Sequence, residues 1–238
     1  MITVFRKIRQ RLLSEGKVSK YLKYALGEII LVVIGILIAL QVNDWNENNK
    51  SDTFEKEMLT QIQENLESDK FSLERIHYNF ENAISSIDKI LVNQHRKYPD
   101  SLPFWLGHIV QFERFAPITN SYETLKSKGL DKLSDKELRL LLSNYYENNI
   151  TKVGRSIIDI EYSFLNDWKP FLQETPLIDF KFQKYVILAD PSIFDSHSVA
   201  RNNLILNRDN YAGGAQHIST VLNSIEALEN KLAMIMEQ

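Results

Sequence analysis

Few residues in this sequence have the type and spacing that chemistry asks for, and Glu28 is the first of them. It is the only charged residue between positions 24 and 42, and the run 29–40 after it has no polar residue. A carboxylate inside an apolar segment is by default a candidate for proton or ion handling. The alternative is a structural carboxylate that reaches lipid headgroups or pairs with Lys20 or Lys23. The five histidines, His77, His95, His108, His197 and His217, show no H-E-x-x-H pattern and no i, i+4 pair, and there is no cysteine. A zinc site and a thiolate nucleophile are therefore not expected. Asp195-Ser196-His197 holds the three residue types of a catalytic triad, but neighbours on a helix diverge by about 100°, whereas a triad converges. Gly213-Gly214 lacks the further glycines and the preceding strand of a phosphate-binding loop. The expectation is a protein that is not an enzyme, with no catalytic residue, no cofactor and no metal.

The elements that carry these residues are legible from charge and periodicity. Residues 1–24 hold seven Lys/Arg against Glu15 alone, although the whole chain has a net charge of −3. A basic head, an apolar run and an acidic body are the charge layout of a membrane anchor. The run 24–42 spans roughly 28 Å as a helix, close to the ~30 Å hydrocarbon core. Tyr21, Tyr24 and Trp45 stand where aromatic rings favour the two interfaces. Positive charge stays on the cytoplasmic side, and only Lys50 and Lys56 follow the run within twenty residues, so the N-terminus is expected inside and the body outside. The run is too long for a cleaved signal peptide, and 38–43 offers no small-x-small site, which reads as an uncleaved signal anchor. In the head, Arg6, Lys7, Arg9, Arg11, Lys20 and Lys23 suit anionic headgroups. Within the spanning helix, Val32, Gly35, Ala39 and Val42 form one stripe. Gly35-x-x-x-Ala39 is the small-residue spacing that lets two helices approach.

Beyond the anchor, Leu59, Ile62, Leu66, Asp69, Leu73, Ile76, Phe80, Ala83, Ile87 and Ile90 recur at intervals of three and four. A helix over 54–96, roughly 65 Å long, follows from that seam. A second seam, Leu138, Leu142, Tyr145 or Tyr146, Asn149, Val153, Ile157, Ile160, Phe164 and Trp168, opens on the capping box Ser134-Asp135-Lys136-Glu137 and stops before Pro170. A third runs through Leu204, Arg208, Tyr211, Ala215, Ile218, Leu222, Ile225, Glu229 and Leu232, after Asp190-Pro191 as N-cap and first helical residue. The fold class is all-α: one N-terminal transmembrane helix, then an elongated antiparallel helical bundle of three long helices with short helices near 103–112 and 121–128. The apolar stretch 184–189 has no visible partner strand and reads as extended loop. The domains are a basic amphipathic cytoplasmic or interfacial segment (1–23), a transmembrane helix (24–43) and a periplasmic helical bundle (44–238). One corner, 122–133, is more specific than generic helix. Gly129 suits a left-handed helix end there, and Tyr122 with Tyr145 and Tyr146 is a candidate partner-docking surface.

The segments 5–10, 27–41 and 43–47 and the 122–146 corner resemble an uncharacterised family of single-pass envelope proteins from Gram-negative bacteria, a domain of unknown function. The resemblance implies a bacterial inner-membrane protein with a periplasmic helical domain and no established activity, so it transfers no catalytic residue. Asp100-Ser101-Leu102 also looks like a short glycosylation acceptor used in some such envelopes. The function expected is a membrane-anchored scaffold or accessory subunit that oligomerises or binds other envelope membrane proteins and touches membrane lipid. A periplasmic sensor, or a subunit of a proton- or ion-driven complex using Glu28, is the alternative. Nucleic acid is not an expected partner, because the body is acidic.

Overall fold

Three-four spacing becomes helix wherever the sequence carries it. The computed structural model describes residues 18–195 and 198–237, and the first helix, α1, is Val18–Leu91. It is continuous through 43–53, where neither Gly nor Pro interrupts it. It ends five residues short of the expected 96, because Asn93 takes a left-handed backbone with φ 59°. The chain divides into two compact units, Met1–Phe54 and Glu55–Gln238. In the first, α1 carries apolar side chains on all sides, and each of them from Ile29 to Val42 is exposed. Arg6, Lys7, Arg9, Arg11 and the side chain of Lys20 lie outside the described residues, as does His197.

In the second unit every member of the first seam from Leu59 to Ile90 is buried, Asp69 included. Burial of each large apolar side chain contributes about 1.5–3 kcal/mol, so this stripe fixes which face of α1 turns inward. A short helix α2 (Leu102–Ile109) follows, then an extended strap, 111–119, that runs back along α1. Glu113 of the strap meets Arg75 and Asn79, the Ile118 amide meets Asp69, and Ser121 beyond it meets Gln61. Helix α3 (Asn120–Lys128) ends where Gly129 adopts φ +100°, a conformation that side chains resist.

Residues 136–174 form one helical run with two widened π turns: α4 (Lys136–Ser143), a π turn Asn144–Asn149, α5 (Ile150–Ser163), a π turn Phe164–Trp168, and α6 (Lys169–Glu174). The cap is Asp135 rather than Ser134, its carboxylate accepting from the Leu138 amide at 2.8 Å. Ser134 instead donates its amide and hydroxyl to Glu55. Pro170 does not stop the run as its missing N–H suggests. The turn before it is widened, with the Lys169 amide bonding back to Phe164, so the ring sits just beyond a turn that has already left α spacing.

The strand pair is the departure from an all-α chain. β1 (Leu177–Lys181) and β2 (Tyr185–Leu188) form an antiparallel hairpin, with Phe180 opposite Val186 and Ile178 bulged out. The stretch expected as loop finds its partner a few residues upstream, and the pair is docked by α2. Gly107 makes that contact, since a Cβ there would collide with the Lys184 carbonyl. Asp190 caps only the short 3₁₀ turn Pro191–Phe194. The last long helix, α7 (Val199–Met236), starts later and is capped by Ser198.

Helix α7 runs opposite to both α1 and α5. Asp88, His77 and Lys70 of α1 meet Arg208, Ser219 and Glu229 in that order. Ser163 and Ser156 of α5 meet Asn210 and His217, and Asn149 just before α5 meets Ser224. Leu204, Tyr211, Ala215, Ile218, Ile225 and Leu232 of its expected seam are buried; at the other positions Asn207, Val221 and Leu228 are buried instead, with Arg208 exposed and Leu222 and Glu229 half-buried. The long charged side chains reach ion-pair partners from the flank, and smaller residues fill the interior. Gly214 admits the Phe80 ring, which would lie 2.6 Å from an added Cβ and packs edge-on against Tyr211 at 5.0 Å.

Candidate functional site

The polar exception in the first seam turns out to organise the most unusual chemistry in the described chain. Periodicity places Asp69 between Leu66 and Leu73, both fully buried, and leaves its own side chain only 2% exposed. One carboxylate oxygen accepts from the Tyr145 hydroxyl at 2.7 Å, the other from the Ile118 amide at 3.2 Å. Among the described residues no ion pair uses Asp69, and its neighbour Lys70 points to Glu229 at 2.7 Å. Burial, outweighing both hydrogen bonds, pushes the Asp69 carboxyl above the ordinary carboxylate range.

The sequence singled out Tyr122, Tyr145 and Tyr146, and the structure brings all three together beside Asp69. Tyr122 and Tyr146 stack at 4.4 Å, and Tyr145 meets Tyr146 edge-on at 4.8 Å. All three are buried, so the expected docking surface is corrected: the rings face inward and build the corner. Their large apolar area is better placed inside once each hydroxyl has somewhere to point. Tyr122 donates to Glu147 at 2.8 Å, and Lys126 pairs with the same carboxylate at 2.9 Å. The Lys126 ammonium and then the Tyr122 hydroxyl hold Glu147 below the ordinary range. The Tyr146 hydroxyl is buried without a hydrogen-bond partner. Burial raises the pKa of all three phenols, with the Asp69 charge adding to the effect at Tyr145 and Tyr146. A neutral, water-excluded phenol is neither nucleophile nor base, so this cluster can hold a proton but cannot reach a substrate.

The histidines are dispersed in pairs. Ser86 meets His108 at 3.0 Å, Ser156 meets His217 at 2.6 Å, and Ser219 meets His77 at 3.0 Å. The Ser219 hydroxyl also donates to the Ala215 carbonyl, which makes the His77 Nε2–H the donor in that pair. Burial, with Lys89 nearby, lowers the pKa of His108. Asp195 does find a histidine, but it is His95, at 2.8 Å, with Arg96 at 2.9 Å on the same oxygen. Arg96 and then His95 hold Asp195 below the ordinary carboxylate range. His95 is buried and its Nδ1 has no partner, so among the described residues no serine completes a triad around it. Among the described residues no three His, Asp or Glu side chains gather as metal ligands.

The residues of the apolar segment belong to the first unit. Val32 and Val42 are more than half exposed, Gly35 and Ala39 are exposed, and an added Cβ at Gly35 would meet nothing within 4 Å. Glu28 is half-buried and Lys23 exposed. One helix in the described chain is long and apolar enough to cross a membrane, and none of its most apolar window is buried. Ser101, the glycosylation candidate, is half-buried in a 3₁₀ turn.

A sequence model of a family of unknown function (DUF6090) matches residues 28–159, more than half of the chain. The chain belongs to this family. The DUF6090 match begins at Glu28 and includes Asp69, the strap and the tyrosine corner; the hairpin and α7 follow it. No curated protein matches the chain, and no solved structure does. Asp69 is the residue that sequence reasoning passed over. The one available signal was a charged residue on an otherwise apolar heptad seam, a position where burial demands a partner.

Proposed function

We propose that this DUF6090 protein is a membrane-anchored helical scaffold or accessory subunit of the bacterial envelope. In this reading its N-terminus is cytoplasmic and its helical domain periplasmic, as an elongated antiparallel bundle. The observation that supports it most is the exposure of the apolar helix. Thirteen large aliphatic side chains from Leu22 to Val42 lie on its surface. Leaving them in water instead of an apolar phase would cost on the order of 20 kcal/mol or more, beyond what a domain's net stability can absorb. Lipid is the solvent that suits a helix apolar on every side. The Val32, Gly35, Ala39 and Val42 stripe is exposed among the described residues, and a second copy or another envelope membrane protein is the partner we assign to it.

The test is Gly35→Ile in the full chain. Recovery of the oligomer or complex from mild detergent should fall, with the helical domain still folded; unchanged recovery would end the helix-contact reading. Glu28 supports a second reading, a subunit of a proton- or ion-driven complex, because a carboxylate in an apolar helix is costly to retain. Under it, Glu28→Gln abolishes function while leaving complex recovery intact; a mutant with normal function would rule it out.

A further inference from the structure

The Asp69 site has the parts of a switch. Its two partners come from different elements: Tyr145 from the π turn Asn144–Asn149, and the Ile118 amide from the strap. Every other charged group nearby is directed elsewhere. On α1, Lys70 pairs with Glu229, and Arg75 is taken up by Glu113 of the strap. On α7, Glu226 and Glu229 act on Lys70. On α3, Tyr122 turns to Glu147 and Lys126 does the same. The π turn contributes the Tyr145 and Tyr146 phenols, which stay neutral, and Glu147, which is taken up by Lys126 and Tyr122. Among the described residues an ionised Asp69 is thus a buried charge without a cation, whereas a protonated Asp69 is neutral: Oδ1 still accepts from the Ile118 amide, and Oδ2–H can donate to the Tyr145 hydroxyl oxygen in place of accepting from it.

We propose that Asp69 is a proton-operated latch: taking up a proton fastens the strap 111–119 and the Asn144–Asn149 turn onto α1, and releasing it loosens both. The turn can respond because it is a widened one, with the Ile150 amide bonding back to Tyr145. Relaxing a π turn to α spacing moves its residues by one position, about 100° around the axis, which would carry Tyr145 away from Asp69. Tyr146 already keeps a buried hydroxyl unpartnered in the latched form, so ring packing on Tyr122 and Tyr145, rather than a hydrogen bond of its own, holds it in the corner.

The direction follows from linkage. A carboxyl group whose folded pKa lies above its unfolded value stabilises the fold fully below the ordinary carboxyl range. That contribution is lost as pH rises through the raised value. Hydrogen exchange on the full chain in mild detergent, corrected for intrinsic rates, reads this segment by segment. In the wild type, protection of 111–119 and 144–149 relative to the centre of α7 should fall with rising pH, by up to about tenfold per pH unit for one linked proton. In Asp69→Asn, which keeps the shape and removes the titration, the same protection should be flat. An identical trend in both proteins, or a flat wild type, overturns the latch. Should Asp69→Asn fail to fold, the wild type alone decides through its infrared spectrum. The carbonyl band of a protonated, buried carboxyl group should vanish in step with the loosening, and its absence in mild acid overturns the proposal.

Discussion

The two halves of α1 share one backbone and solve opposite problems. From Ile29 to Val42 its apolar side chains point in every direction and are exposed; from Leu59 to Ile90 the seam residues form a single buried stripe, with Phe71 and Tyr78 exposed outside it. The first half shows what a helix looks like when its surroundings must be apolar all round, the second what it looks like when only one face is. The position of polar residues teaches the same lesson. The second half tolerates Asp69 on its inner stripe because Tyr145 and Ile118 supply hydrogen bonds, and tertiary structure alone can bring such partners to it.

The sharpest way to break this comparison is a matched pair of truncations. Leu66→Ala, at a fully buried position, should cost the helical domain about 2–5 kcal/mol in denaturant unfolding. Leu37→Ala, at a position 57% exposed, should leave that transition where it is. Equal losses would mean that the apolar half packs on protein after all. A smaller effect separates two glycines. Gly214→Ala places a Cβ against the Phe80 ring and should cost about 1–3 kcal/mol by overpacking. Gly35→Ala meets open space and should not move the unfolding midpoint. The smallest effect concerns the flank of the seam. Lys70→Met removes a partly exposed ion pair with Glu229 and should change stability by less than about 1 kcal/mol, with less effect still at high salt. A larger change would show that the rim of the buried stripe carries energy that we assign to its centre.

The elements differed in how much the residues disclosed. The seam through α1 was legible residue by residue, and Gly129 announced the end of α3 by its type alone. The α7 seam was legible at its apolar members from Leu204 to Leu232 and failed at its charged ones: Arg208 and Glu229 fit a heptad, yet charged ends leave the interior when a partner waits at the flank. The hairpin is not legible in 184–189 alone, because its pairing needs 177–181 and its docking on α2 depends on Gly107, some seventy residues upstream. The tyrosine corner was located correctly and its orientation misjudged. An aromatic ring with a hydroxyl suits an interface or an interior equally well.

Sequence by itself determined the apolar helix, the helical periods and the turn at Gly129, because each is a property of neighbouring residues on one backbone. Tertiary structure decided where polar groups spend their hydrogen bonds: Asp69 on a tyrosine 76 positions away, Asp195 on His95, 100 positions away. Those choices depend on which helix faces which and how far each is buried, and local spacing carries no record of either.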